Sequence, residues 1–131
     1  MAKKLFWSWQ ILLLAINVIP LGNDINNIIH RPILKFRLDY LLHFCSFLVF
    51  IPIYLRGIRE GSPIFSQKPV LKYLLIVGGS AILCECSQFF LSYRTFNPID
   101  LLTNFSGAIL GTLVIALVVH YFKDKQINIE N

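Results

Sequence analysis

The sequence predicts an all-α protein: an integral membrane bundle of four transmembrane helices with both termini in the cytoplasm. Three observations predict it. First, 56% of the 131 residues are hydrophobic and the mean hydropathy is +0.64. Second, only 15% are charged, where a soluble domain carries about 25%. Third, those charges are clumped between long apolar runs, as membrane-spanning helices require. One membrane domain, residues 1–131, uses the whole length. No room remains for a separate soluble catalytic domain.

The first span is expected over about residues 5–21. At 1.5 Å per residue, about 17 residues just cover a thin hydrocarbon core. Lys3 and Lys4 precede it as in a signal peptide, but no small-x-small cleavage site follows, so the helix is expected to stay. Trp7 and Trp9 fit an interfacial aromatic belt. The second span, 38–55, carries Pro52 near its end, a position for a kink. The third is 70–93 and the fourth 99–122, with Pro98 at a natural helix start. The connection 22–37 mixes apolar and basic residues and is expected to lie along the membrane surface or dip into it. The connection 56–69 is basic. The connection 94–98 is so short that the last two helices must form a tight antiparallel hairpin.

The net charge of +5 flanks apolar segments, so it reads as a topology signal. Basic residues are not interleaved with exposed aromatics, and nucleic-acid binding is excluded. Eight Lys/Arg residues lie with the termini and the second connection: Lys3, Lys4, Arg56, Arg59, Lys68, Lys72, Lys123 and Lys125. Four lie on the other side: Arg31, Lys35, Arg37 and Arg94. The positive-inside rule then puts both termini in the cytoplasm. Cys45, Cys84 and Cys86 are odd in number and sit in apolar segments. A secreted disulfide framework is unsuited to that pattern, and small buried apolar side chains are the expected reading.

Polar groups recur at helical spacing inside these spans. Asp39 and His43 are i, i+4 in the second helix and share a face. Glu85 and Gln88 follow at i, i+3 in the third, and Asp100 and Asn104 at i, i+4 in the fourth. Gly107 and Gly111 continue the face of Asn104, and Gly78 shares the side of Glu85. Glu85 is expected about 10 Å in from Ser92, with His43 and Asn104 about 6 Å below their helix starts. Three helices thus deliver polar groups to one outer layer. An ionised group near mid-helix costs about 2.5–3.5 kcal/mol, so such groups pair, protonate or line a wet cavity. Gly-x-x-x-Gly permits close helix approach. Bland readings stand beside this: an Asp100–Arg94 pair stapling the hairpin, a His43 satisfied by Asp39, and Asn17 making a packing hydrogen bond.

This string resembles the VanZ-like family of bacterial membrane proteins. The carrying residues are Arg37, Asp39 and His43, then Glu85, Gln88, Arg94, Asp100, Asn104, Gly107 and Gly111. The resemblance implies a four-helix bundle in the bacterial cytoplasmic membrane. It also implies a link to low-level resistance to teicoplanin, a lipoglycopeptide antibiotic, with which the founding member is associated. One departure is visible: Thr95-Phe96-Asn97 stands where a second acidic residue is expected. One fewer acidic group is then available for a metal.

Three functions fit. In the first, an outward-facing pocket binds or modifies a lipid or lipid-linked envelope precursor. Arg37 and Arg94 contact phosphate, and Gln88, Asp100 and Asn104 help bind the head group. In the second, an intramembrane enzyme cleaves a lipid phosphate or ester. Its candidate catalytic residues are His43 as base or nucleophile, Asp39 orienting it, and Glu85 as acid. No Ser/Cys-nucleophile motif, Walker loop or HExxH supports this. The third is a small transporter or proton relay titrating at Glu85; the second half does not repeat the first, which weighs against it. No cofactor is expected and no metal is assigned, since a single histidine in the cluster disfavours zinc.

Overall fold

The apolar runs form helices because their side chains are matched to lipid and their backbone groups must be satisfied within each segment. The computed structural model describes residues 1–19, 32–33, 36–93 and 96–130, with side chains described at 1–19, 38–93 and 96–122. Helix α1 is Ala2–Val18. Its inward stripe is Ala2, Phe6, Gln10 and Leu13, the i, i+4, i+8, i+11 spacing of one helical face. Ile19 is extended, with φ −69° and ψ 131°. That is the conformation imposed on a residue preceding proline, here Pro20.

Two two-residue strands follow, β1 (Pro32–Ile33) and β2 (Phe36–Arg37). They pair antiparallel, with Pro32 opposite Arg37. This short pairing is a departure from the purely helical expectation. The second span is broken in two: α2 is Leu38–Leu48 and α3 is Phe50–Arg59. The break at Val49 falls where Pro52 has no N–H for the carbonyl four residues back. Helix α3 ends in a Schellman turn. Gly61 has φ +62°, its N–H binds the Ile58 carbonyl at 3.1 Å, and Ser62 N–H binds that of Gly57 at 3.0 Å.

Helix α4 is Pro69–Ser87, with proline in its first turn. A 3-10 turn, Gln88–Phe90, follows. The expected third span therefore stops short of residue 93. Counted through that turn to Phe90, Glu85 lies about 9 Å from the end of the span. Helix α5 is Pro98–Glu130. The Asn97 side chain accepts the Ile99 N–H at 3.0 Å, which caps the start beside Pro98. At about 50 Å, α5 outruns a hydrocarbon core of about 30 Å.

Among the described residues, three segments are long and apolar enough to cross a membrane: Leu38–Arg59, Pro69–Phe90 and Pro98–Phe122. Their outer surfaces carry bare aliphatic side chains, such as Leu75, Leu102 and Leu117. Helix α5 packs against both α2 and α4, and α1 packs against α3 and α4. The interior divides by chemistry. One end is aromatic: Phe6 packs tilted against Phe50 with ring centres 5.0 Å apart, and Tyr54 meets Tyr73 edge-on at 5.6 Å. The other end is polar.

The helix ends pair in a fixed way. The N-terminal amine of Met1 lies 3.5 Å from Glu60, while the Tyr93 hydroxyl donates to the Val18 carbonyl at 2.5 Å. Hence the start of α1 shares an end with the close of α3, and its finish shares an end with the α4–α5 connection.

Candidate functional site

Because α5 touches α2 and α4 together, its first two turns meet polar groups from both. Asn104 is fully buried. Its amide donates to Glu85 Oε1 at 2.8 Å, and its carbonyl faces His43 Nδ1 at 3.1 Å. The Asn104 carbonyl can only accept, so His43 Nδ1 is the donor. A directed chain results, from His43 through Asn104 to Glu85. The other ring nitrogen, Nε2, lies 3.5 Å from Asp39 Oδ1 and 4.0 Å from Asp100 Oδ2. Glu85 Oε1 is also 4.0 Å from His43 Nδ1.

Five of the sequence-predicted residues thus converge: Asp39, His43, Glu85, Asp100 and Asn104. Gln88 is buried nearby in sequence, in the 3-10 turn. Glu85 is wholly buried, and its Oε2 has no hydrogen-bond partner among the described residues. Asp39, His43 and Asp100 each offer one ligand atom, and these atoms lie within 4.8 Å of one another. The side chain of Arg37 and the whole of Arg94 lie outside the described residues, and with them the expected Asp100–Arg94 staple.

A pocket of about 140 Å³ opens beside the cluster between α1, α2 and α5. Asp39, His43, Ser46, Asn104 and Asn17 supply polar lining; Trp9, Leu13, Ile16, Leu42 and Phe47 supply apolar walls. A polar floor with apolar walls suits an amphiphile.

The glycines divide. A Cβ on Gly107 would stand 2.8 Å from both the Phe44 carbonyl oxygen and Phe47 Cβ, so this position holds α2 and α5 together. A Cβ on Gly111 would strike the ring and hydroxyl of Tyr73. The two glycines therefore serve different neighbours. A Cβ on Gly78 would meet only Leu74 of its own helix, at 3.8 Å. Close packing does not require glycine there.

Among the other side chains, Trp9 and Cys45 depart from expectation, whereas Asn17 and Cys84 do not. Trp9 is not simply interfacial: its indole N–H donates to the Ser46 carbonyl at 3.0 Å, tying α1 to α2. Asn17 donates to the Leu13 carbonyl of its own helix at 2.9 Å. Cys84 is buried in the apolar core, whereas Cys45 is exposed on the outside of the bundle. A second buried polar contact was missed. Gln10 donates to the Ser80 hydroxyl, which in turn donates to the Ile76 carbonyl at 2.6 Å. The signal was present, since Gln10 falls four residues after Phe6 on the inward stripe of α1.

A helical bundle with bare aliphatic faces outside and a buried multi-helix polar cluster inside fits a membrane protein. The chain belongs to the VanZ/LLP1 family, whose model matches residues 3–119. No curated protein and no solved structure matches it significantly.

Proposed function

We propose that the protein is a four-span protein of the bacterial cytoplasmic membrane, with both termini inside, whose pocket opens outward and binds a lipid or lipid-linked head group. The carrying observation is the union of the polar cluster with an apolar-walled pocket on the same face of α2. A head group would meet Asp39, His43 and Asn104 while its tail lies against Leu13, Ile16 and Leu42. Arg37 and Arg94 belong by sequence to the same end and supply the cations a phosphate needs. The Lys/Arg excess, eight against four, supports the orientation. Membership of the VanZ/LLP1 family supports a link to glycopeptide resistance. Reduced access of a membrane-anchored antibiotic would follow from sequestering or altering its lipid-linked target.

Binding is favoured over hydrolysis by one detail. His43 has Asn104 on one ring nitrogen and carboxylates near the other. A general base needs a nitrogen facing substrate, so catalysis by His43 would first have to displace one of them.

The test is teicoplanin susceptibility of cells expressing the protein, alongside capture of a photo-crosslinkable phospholipid. Glu85→Gln and His43→Ala should each abolish both signals while the protein still inserts. Unchanged susceptibility in a stable Glu85→Ala/His43→Ala double variant sinks the pocket. Turnover of labelled lipid by purified protein would move the reading to an enzyme. For orientation, Arg94→Cys in a chain lacking Cys45, Cys84 and Cys86 should react with an impermeant maleimide on whole cells. Reaction only from the cytoplasmic side inverts the topology.

A further inference from the structure

We propose that Asp39, His43 and Asp100 form a binding site for a divalent metal ion, with Mn²⁺ the best-matched ion. The inference goes beyond the lipid reading and holds whatever enters the pocket. Sequence alone disfavoured zinc, because the cluster holds a single histidine, and assigned no metal. The structure supplies what the count lacked.

The three ligand atoms lie within 4.8 Å of one another and come from two helices. Nε2 of His43 is already 3.5 Å from Asp39 Oδ1 and 4.0 Å from Asp100 Oδ2. Ligands around a small cation at about 2.1 Å stand about 3.0–3.4 Å apart. Small rotations of the two aspartates close the remaining gap.

The histidine is oriented for the task. Asn104 fixes Nδ1 as a donor, which leaves the Nε2 lone pair of the neutral ring facing the two carboxylates. Metal-bound histidines are held in this way, with the remote nitrogen donating to an outer partner. Here that partner is itself anchored on Glu85. Glu85, wholly buried and 4.0 Å from His43 Nδ1, sits on the far side of the ring from Nε2, so it supports Asn104 and does not ligate the ion.

The pocket is the independent observation. Asp39 and His43 line it, so an ion between them would be reached from one open side. Its volume of about 140 Å³ has room for several waters at about 30 Å³ each. An ion with few protein ligands and open positions would complete its shell there. One imidazole with two carboxylates and water is a largely oxygen donor set, which suits Mn²⁺.

The experiment titrates Mn²⁺ into chelator-stripped, detergent-purified protein and follows loss of the six-line electron paramagnetic resonance signal of free Mn²⁺. One ion per chain is expected, with a raised melting temperature. Asp39→Asn, His43→Gln and Asp100→Asn should each weaken binding at least tenfold. Asn104→Ala should weaken it about 10- to 100-fold. Glu60→Gln, at the opposite end, should leave it unchanged. Circular dichroism and monodisperse elution certify each variant's fold. No stoichiometric binding by folded wild type overturns the site, as does equal affinity in folded Asp39→Asn and Asp100→Asn. Lipid capture repeated in chelator keeps the two proposals apart, since either can fail alone.

Discussion

Gly107→Ala tests how helix packing sets the polar site. The new Cβ would sit 2.8 Å from the Phe44 carbonyl oxygen and 2.8 Å from Phe47 Cβ. Carbon contacts settle at about 3.5–4.0 Å. Both obstacles belong to backbone or to its first side-chain atom, so no rotamer change relieves them. Helices α2 and α5 must separate by about 0.7 Å or more. Asn104 lies one turn from Gly107 on the same face, and His43 adjoins Phe44. The His43–Asn104 contact of 3.1 Å would stretch to about 3.8 Å, beyond hydrogen-bonding range. Overpacking of this kind costs about 1–3 kcal/mol. Gly78→Ala is the control, because its Cβ meets only Leu74 at 3.8 Å and alanine favours helix by about 0.8–1.0 kcal/mol in water. The assay is thermal unfolding in detergent, read by size-exclusion fluorescence, together with lipid capture. Gly107→Ala should melt several degrees lower and capture less lipid, whereas Gly78→Ala should melt no lower than wild type. A Gly107→Ala protein as stable as wild type would refute the close-approach argument.

Three further outcomes are expected. In a double-mutant cycle with Glu85→Gln and Asn104→Ala, measured by unfolding in mixed micelles, the coupling should be about 0.6–1.7 kcal/mol; zero coupling removes the buried link. Gly61→Ala should lose about 1 kcal/mol in the same assay, because φ +62° suits glycine and strains a residue with a Cβ; an unchanged midpoint contradicts the Schellman turn. Glu60 is held below the usual carboxylate range by the Arg56 guanidinium at 2.7 Å and the Ala2 N–H at 3.3 Å. Its contribution is therefore present above the ordinary glutamate pKa and lost as pH falls through the lowered value. Wild type should lose melting temperature across that window, and Glu60→Gln should lose less; identical pH profiles exclude the tether.

The helices were legible because lipid and backbone chemistry impose them locally. Long apolar runs broken by charge, Pro98 at a helix start and Pro52 near a weak point each act within a few residues. The helical periods of Asp39 with His43 and Asp100 with Asn104 likewise placed those pairs on shared faces. Less was legible where the cause is distant. The α-helix gives way to a 3-10 turn after Ser87, and no residue before it is an obvious breaker. Trp9 looked interfacial until the Ser46 carbonyl came within reach. Gly78, Gly107 and Gly111 look alike in sequence, yet their neighbours differ.

By itself, then, the sequence determined a helical membrane protein of the VanZ/LLP1 type, with costly polar residues set at intervals that put them on common faces. Only the tertiary structure decided which atoms meet. Helix α5 lies between α2 and α4, so Asn104 joins His43 to Glu85 and turns Nε2 toward two aspartates. Periodicity fixes a face within one helix, but the contacts between faces depend on helix rotation and separation, which side chains such as Gly107 set through packing.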